Sequence, residues 1–168
     1  NVHFYEDSFE EFLTQSRLPD GFDVIVMHGI YSWVSPENRA FIRRFVRERL
    51  KPGGLLVLTV PYNIKPKTVE HFPDLHDFSV TKQENGDYIL TNVTRDGVLQ
   101  KFDRLVFHGG PGTTLEMRVF AERDLIGHLV AAGFTDVEIH QESNPEYGIV
   151  WPERWSRPIS ARKPGGTA

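Results

Sequence analysis

The stretch FDVIVMHGIYSW at residues 22–33 and the stretch LKPGGLLVLTV at residues 50–60 decide the fold of this chain. Each contains a short run that is apolar at nearly every position, at residues 24–27 and 55–60. Continuous apolar runs of this length are typical of strands buried on both faces, as in a parallel sheet with helices on each side. Parallel neighbours need a crossover segment between them, so the residues that join the two runs should form a helix.

The segment between the runs carries the signals of that helix. Ser35 is a good N-cap, and Pro36 suits the first helical position. Apolar side chains then recur at helical spacing while arginines take the outer face; the apolar positions are Phe41, Ile42, Phe45, Val46 and Leu50. Lys-Pro-Gly-Gly at residues 51–54 ends the helix and turns the chain. The sequence therefore predicts a strand, a right-handed crossover helix at residues 36–50 and a second, parallel strand.

Composition narrows the class of protein. The 168 residues suffice for one domain with a core, and 39% apolar residues, 25% charged residues and a net charge of −4 are ordinary for a globular protein. This charge gives no basic stripe for nucleic acid. The absence of cysteine excludes disulfides and thiolate metal sites. Without a long apolar run or a signal-peptide pattern, we expect a cytoplasmic protein with no nucleic-acid and no membrane partner.

Two sequence patterns carry a family resemblance. The pairing of FDVIV at residues 22–26 with LKPGGLL at residues 50–56 resembles the fourth and fifth strands of class I S-adenosylmethionine-dependent methyltransferases. In addition, ERDL at residues 122–125 followed by AGF at residues 132–134 resembles the helix and strand before the last hairpin of that family.

The resemblance covers residues 1–61 and 113–163. It implies a Rossmann-like α/β sheet, present in part, with strand order 3-4-5-7-6. Residues 2–5 would form the third strand. Residues 155–163 would form the last strand, antiparallel to its neighbours, and Pro158 indicates that this strand starts late or lies irregularly.

The first part of the family's domain has no counterpart in this chain. Neither the glycine-rich loop after the first strand nor the acidic residue that ends the second strand occurs here. In the family these elements hold the methionine part of the cofactor and the ribose hydroxyls. Residues 24–27 would then lie at an exposed edge, which invites association. We therefore expect a single methyltransferase-like domain over residues 1–168, incomplete at its N-terminus and completed by upstream sequence, a second chain or a homo-oligomer.

The resemblance implies that S-adenosylmethionine is the cofactor and places several residues near it. Asp7, with Ser8 and Phe9 beside it, corresponds to the acidic turn next to the adenine ring, although Asp7 could equally be only a helix cap. His28 and Gly29 follow the first buried strand, where open α/β sheets bind their ligands. Gly29 permits close backbone approach. His28 could contact the methionine part, act as a base or be purely structural.

Substrate contacts are expected on the same side of the sheet. Tyr31 and Trp33 offer flat surfaces beside a sulfonium cation, with Trp33 favoured as packed core. We also name Tyr62 as a substrate contact. The Pro-Tyr-Asn run at residues 61–63 resembles a motif of amino-group methyltransferases, but it follows the wrong strand and we reject that match.

In residues 78–108 the sequence pattern changes to the alternation of β-rich runs. This pattern predicts an antiparallel β insert outside the main sheet. Asn-Gly at 85–86 and Asp-Gly at 96–97 mark turns between β-rich runs, the last of them at residues 102–107. Residues 71–77 hold two histidines and two aspartates at a spacing that matches no ligand pattern, so we expect no metal.

The glycine-rich segment at residues 109–112 lacks the Gly-Lys-Ser/Thr ending of a phosphate-binding loop. We predict instead that it forms a flexible loop over the mouth of the site. His108 is a second candidate base, and Glu116 and Arg118 are candidate substrate contacts. The alternative is a hinge in which Glu116 and Arg118 form an ordinary surface pair.

Two classes of function remain. The first is transfer of a methyl group from S-adenosylmethionine to a small-molecule acceptor, whose reacting atom the sequence does not identify. The second is a non-catalytic, methyltransferase-like remnant that acts as an association or binding domain. The chain lacks the glycine-rich loop that follows the first strand in the family and holds the methionine part of the cofactor. We therefore expect the 168-residue chain alone to bind the cofactor weakly or not at all.

Overall fold

The computed structural model describes residues 2–14, 17–151 and 153–166, which form a mixed α/β fold. Three α-helices and twelve strands occur in this part of the chain. In order they are α1 (Phe9–Thr14), β1 (Phe22–His28), α2 (Pro36–Arg49), β2 (Leu50–Thr59), β3 (Tyr62–Asn63), β4 (Val69–Glu70), β5 (Asp77–Lys82), β6 (Tyr88–Val93), β7 (Leu99–Phe102), β8 (Phe107–His108), β9 (Thr114–Leu115), β10 (Arg118–Ala121), α3 (Glu122–Ala131), β11 (Thr135–Ile139) and β12 (Ile159–Arg162). Single 3-10 turns lie at Ile30–Ser32, Pro145–Tyr147 and Arg154–Ser156.

The main sheet has the order β1-β2-β12-β11. β1 and β2 are parallel, with Val24 opposite Leu55, and α2 joins them as predicted. The Ser35 hydroxyl accepts a hydrogen bond from the Asn38 backbone N–H at 3.3 Å, and Pro36 is the first residue of α2. β12 is antiparallel to both β2 and β11 and begins after Pro158, so the expected late, antiparallel last strand is confirmed.

Residues 2–5 form no strand, which corrects the prediction of a third strand there. The described chain places no strand beyond β1 at that edge of the sheet. A β-prone segment needs a partner for its backbone N–H and C=O groups, and here it has none to pair with. The order 3-4-5-7-6 is therefore not obtained as a whole.

The prediction that β1 is buried on both faces is wrong. Val24 and Val26 are 51% and 67% exposed, whereas Ile25 and Met27 pack against the core. Successive side chains of a strand point to opposite faces, and the described chain covers only one face of β1. β1 therefore forms an edge strand with an exposed apolar face.

The core lies between the covered face of the sheet and the helices α2 and α3. Ile42 and Val46 from α2 meet Leu58 of β2 and Leu125 and Leu129 of α3, all buried. Each such side chain contributes about 1.5–3 kcal/mol by its removal from water. α3 ends at Ala131, and Gly133 then takes a positive φ of 88°, which a glycine just after a helix tolerates.

The insert forms an antiparallel meander of β5, β6 and β7 in a sheet of its own, as predicted. Its third strand is Leu99–Phe102, and residues 103–106 are not in a strand, which corrects the run expected at residues 102–107. The tight turn explains this shift. Thr94 N–H donates to the Val98 carbonyl at 2.9 Å, so pairing resumes immediately after the Asp-Gly turn.

No helix within residues 2–14, 17–151 and 153–166 combines the length and apolar character that a membrane span requires.

Candidate functional site

The predicted ligand-binding edge forms where β1 and β2 end, and we call it the carboxyl edge. Nδ1 of His28 lies 2.5 Å from Oγ1 of Thr59, the last residue of β2, and shares a hydrogen bond with it. The Gly29 N–H donates to the Thr59 carbonyl at 2.6 Å. Because the two strands are parallel, their carboxyl ends meet here. The structure therefore places His28 and Gly29 together, with the imidazole exposed to solvent.

The loop that follows, residues 29–34, begins with a turn that only glycine fits. Gly29 has a φ of 72°, and a Cβ at this position would run into the indole ring of Trp33. Trp33 is half-buried, as expected for a packing residue, and its Nε1–H has no hydrogen-bond partner among the described residues. The absence of a side chain at Gly29 therefore leaves room for the Trp33 ring.

Arg118 fixes this loop from the other side. Its side chain is 2% exposed, and Nη1 donates to the Tyr31 and Val34 carbonyls at 3.0 and 3.2 Å. Its Nε lies 2.9 Å from both carboxylate oxygens of Glu70. A buried guanidinium is stable when its charge is paired and its donors are used, as they are here. Arg118 holds the loop in place, and a substrate contact by Arg118 stays a prediction.

Glu116 lies between two imidazoles. Its Oε1 is 3.0 Å from Nε2 of His71, and its Oε2 is 2.7 Å from Nε2 of His108. Glu116 is 8% exposed and makes no pair with Arg118, so the alternative of an ordinary surface pair is wrong. The ring of His108 lies 5.7 Å from that of Trp33, which connects these three residues to the loop at residues 29–34. We call His71, Glu116 and His108 the His–Glu–His cluster.

His71 is not among the predicted site residues, because the histidines and aspartates of residues 71–77 match no ligand pattern. Strand β4 pairs antiparallel with β10, and the His71 N–H donates to the Met117 carbonyl at 2.9 Å. This pairing brings His71 beside Glu116 across a long sequence separation. No local signal in the sequence announces it.

The two tyrosines expected as substrate contacts are used in packing. The Tyr31 ring stacks on Phe120 at 6.0 Å, and its hydroxyl accepts a hydrogen bond from Arg43 Nη1 at 3.2 Å. Tyr62 is 1% exposed in strand β3. Burial raises the pKa of the Tyr62 phenol, and the negative charge of Glu122 adds to the rise. The assignment of Tyr62 to substrate contact is corrected, because a side chain this buried offers no surface to a ligand.

Asp7, Ser8 and Phe9 form the start of α1. The Ser8 hydroxyl accepts from the Glu11 N–H at 3.2 Å, and the Glu11 carboxylate accepts from the Ser8 N–H at 2.7 Å. This reciprocal pair is a capping box, and the hydrogen bonds that Ser8 donates to the Glu11 carboxylate, from its backbone first, lower the pKa of Glu11. The Asp7 carboxylate instead accepts hydrogen bonds from Arg17 Nη2 at 3.1 Å, so Asp7 is not the helix cap. Phe9 packs against the core. Contact of Asp7, Ser8 and Phe9 with adenine stays a prediction.

A cavity of about 570 Å³ lies between α2, α3 and the sheet. Its floor is apolar and includes Ile42, Leu58 and Leu129, and Arg47 and Lys163 lie at its rim. It lies on the helix-covered face, and its lining includes Met27 and Tyr31, which flank His28 and Gly29 of the carboxyl edge. In the described part of the chain, no group of three or more histidine or carboxylate side chains is arranged to hold a metal ion.

A known protein matches part of this chain in sequence. No known family profile matches the chain. The uncharacterized protein sll1526 of Synechocystis sp. (strain ATCC 27184 / PCC 6803 / Kazusa) is 53% identical over 66 residues, which are 39% of this chain and 12% of that protein.

Solved structures give broader but weaker likenesses. The glycopeptide N-methyltransferase MtfA, complexed with S-adenosyl-L-homocysteine, has a TM-score of 0.46 at 16% identity, covering 86% of this chain and 55% of its own. The 1,6-didemethyltoxoflavin-N1-methyltransferase of Burkholderia thailandensis has a TM-score of 0.38 at 16% identity, covering 86% and 45%. The CcbJ methyltransferase of Streptomyces caelestis has a TM-score of 0.35 at 14% identity, covering 88% and 59%. The chain thus spans between 45% and 59% of the length of these three.

Proposed function

We propose that this chain forms one wall of an S-adenosylmethionine-dependent methyltransferase site that acts on a small-molecule acceptor. The observation that carries the proposal is the carboxyl edge. The parallel pair β1 and β2 ends there with the exposed imidazole of His28 and the positive-φ Gly29, and Thr59 ties the two strand ends together. Open α/β sheets bind ligands in this position.

The residues present fit part of such a site. We assign His28 and the loop at residues 29–34 to the methionine end, and Asp7 near the start of α1 to the adenine. The chain has no glycine-rich loop and no ribose-binding acid, which we expect from upstream sequence or from a second chain. S-adenosylmethionine, when bound, supplies an electrophilic methyl carbon. The protein then contributes alignment of the acceptor and exclusion of water.

A second candidate function is a non-catalytic association domain. The observation that favours it is the exposed apolar face and free edge of β1, where Val24 and Val26 face solvent. Edges of this kind pair readily with another chain. The same edge would be covered in the methyltransferase proposal by upstream strands or by a homo-oligomer. In either case we propose a cytoplasmic location.

Calorimetry with S-adenosylhomocysteine separates the two candidates. We expect binding by a longer chain that includes the sequence preceding Asn1, and weak or no binding by the 168 residues alone. In the longer chain, Asp7→Asn should weaken binding by about 1–3 kcal/mol if the carboxylate accepts a hydrogen bond from the ligand. Asp20→Asn, at an exposed position outside the proposed site, is the control. No binding by the longer chain would favour the association domain.

A further inference from the structure

The His–Glu–His cluster has a geometry that the proposed function does not yet use. Glu116 presents one carboxylate oxygen to Nε2 of His71 and the other to Nε2 of His108. The described part of the chain gives Glu116 no other side-chain partner. Nearby charges are already paired, because Arg118 is bonded to Glu70, on the strand that precedes His71. The Glu116 carboxylate is therefore available to orient both rings.

We propose that His108 is the proton acceptor of this site, with Glu116 and His71 as its positioning residues. This proposal rests on the proposed function and defines its substrate class. The methyl acceptor would be an amine or a hydroxyl group that arrives with a proton it must lose.

The chemistry of the carboxylate determines which nitrogen of His108 is basic. A carboxylate only accepts hydrogen bonds, so the Nε2 atom that faces it must carry the proton. In a neutral imidazole the other nitrogen, Nδ1, is then an acceptor. No described residue forms a hydrogen bond with Nδ1 of His108 or of His71. Both rings thus keep a free basic nitrogen while Glu116 holds them from the opposite side.

Position distinguishes the two histidines. The His108 ring lies against Trp33, whose indole covers Gly29 at the carboxyl edge. The His71 ring instead lies 6.1 Å from that of Phe72, which is buried in the core of the insert. The two side chains are similarly exposed, 32% for His108 and 29% for His71, so their ring neighbours separate them and their exposure does not. His108 is therefore the member of the cluster nearest the proposed methyl-transfer site, and His71 holds Glu116.

The proposed step is balanced in atoms and charge. The acceptor lone pair forms a bond to the methyl carbon, and the carbon–sulfur bond breaks with its electron pair remaining on sulfur. The proton of the acceptor moves to Nδ1 of His108. The imidazolium that forms lies against the Glu116 carboxylate, which stabilises its charge. No further reactant is needed.

Nitrogen NMR of the imidazole rings in the 168-residue chain tests the geometry without any ligand. The spectra are recorded at about pH 8.5, some two units above the ordinary histidine pKa, where neutral rings report their tautomer. We expect both His71 and His108 as the Nε2–H tautomer, assigned with His71→Gln and His108→Gln. An Nδ1–H tautomer at His108 in the unsubstituted chain would overturn the proposal.

Glu116→Gln sharpens the test, because a carboxamide has one acceptor oxygen and one donor nitrogen. One ring should keep the Nε2–H tautomer, and the other should change to Nδ1–H. The control is Glu138→Gln, which removes an exposed carboxylate near His140 and should leave His71 and His108 unchanged. Two unchanged rings in Glu116→Gln would show that Glu116 does not set the tautomer and would contradict the proposal.

An activity assay on the longer chain separates this inference from the proposed function. Butylamine arrives protonated and needs a base, whereas 4-nitrophenolate is already ionised at the assay pH. His108→Gln should slow methylation of butylamine by about 10²- to 10⁴-fold and should slow methylation of 4-nitrophenolate far less, because the phenolate has no proton to lose. Equal loss with both probes would contradict proton acceptance by His108. If neither probe is methylated, the proposed function fails on these acceptors, and the NMR tautomers decide the geometry of the cluster.

Discussion

Arg118 shows how a single residue connects separate parts of this molecule. One guanidinium joins strand β10 to Glu70 of β4 and to the carbonyls of the loop after β1. Arg118→Leu should destabilise the protein by about 1–3 kcal/mol, because two carbonyls of the loop lose their donor. Glu70 adds little to this loss, since it is 35% exposed and keeps Arg39 at 3.6 Å. Urea unfolding measures this loss. Arg123→Leu, which removes an exposed guanidinium, should change the free energy of unfolding by less than about 0.5 kcal/mol. Equal effects of the two substitutions would contradict this role.

Removal of the buried Tyr62 hydroxyl should not lower the free energy of unfolding, in contrast to removal of the Arg118 guanidinium. The hydroxyl has no hydrogen-bond partner among the described residues, so Tyr62→Phe should be neutral or stabilising, within about 1 kcal/mol. Burial raises the pKa of this phenol in the folded state, so below the unfolded value of about 10 both states keep the proton and the protein has its full stability. As the pH rises further, the unfolded state loses the proton first and the folded state loses stability.

Unfolding in urea at pH values on both sides of 10 checks the sign. The unsubstituted protein should lose stability relative to Tyr62→Phe as the pH rises. Tyr147→Phe removes an exposed hydroxyl and should not alter the pH dependence. A parallel pH dependence of the unsubstituted protein and Tyr62→Phe would contradict the assignment of the loss to this phenol.

Site residues could be predicted from the sequence where a strand end alone determines their place. His28 and Gly29 directly follow an apolar run, and the carboxyl end of such a run is where a parallel sheet binds ligands. Arg118 and His71 could not be predicted in their observed roles. Their partners arrive through the pairing of β4 with β10, which no local pattern announces.

Among the elements, the meander β5-β6-β7 is held by a fully buried amide together with an apolar cluster that includes Leu90 and Met117. Asn92 is fully buried, accepts from the His76 N–H at 2.8 Å, and donates to the Asp74 carbonyl and to Gln100 at 3.0 and 2.8 Å. Asn92→Leu leaves these groups unpaired and should cost about 2–4 kcal/mol. Hydrogen exchange should show lost protection in β5 to β7 while β1 and β2 keep theirs.

The control for this element is Asn85→Leu, at an exposed turn position, which should leave exchange in β6 and β7 unchanged. Loss of protection in β1 and β2 together with the meander would show that the insert and the main sheet unfold as one unit. That result would contradict the local attachment.

Elements with complete local signals could be predicted, and those that depend on a neighbour could not. The N-cap Ser35 and the helical period define α2 within the sequence, whereas residues 50–54, expected as a helix end and a turn, lie in β2. Residues 2–5 have the composition of a strand, but in the described chain no strand lies beside β1 to receive them. In the insert, the tight turn before Val98 set the pairing register more strongly than the apolar pattern did.

At the scale of the whole molecule, the exposed face and edge of β1 should drive association of the 168-residue chain. Val26→Lys places a charge on the apolar face and should reduce concentration-dependent self-association in sedimentation velocity. Val150→Lys, at an exposed position outside the main sheet, is the control and should have little effect. Self-association that only Val150→Lys reduces would place the contact elsewhere.

The most direct test of the central claim maps cofactor binding onto the longer chain by amide NMR during titration with S-adenosylhomocysteine. The amide of Gly29, the amide of Thr59 and the indole N–H of Trp33 should shift, because they lie at or beside the carboxyl edge. The amides of Gly86 and Gly97, in the meander turns, should not. Shifts confined to the meander or to residues lining the cavity between α2 and α3 would contradict a cofactor site at the carboxyl edge.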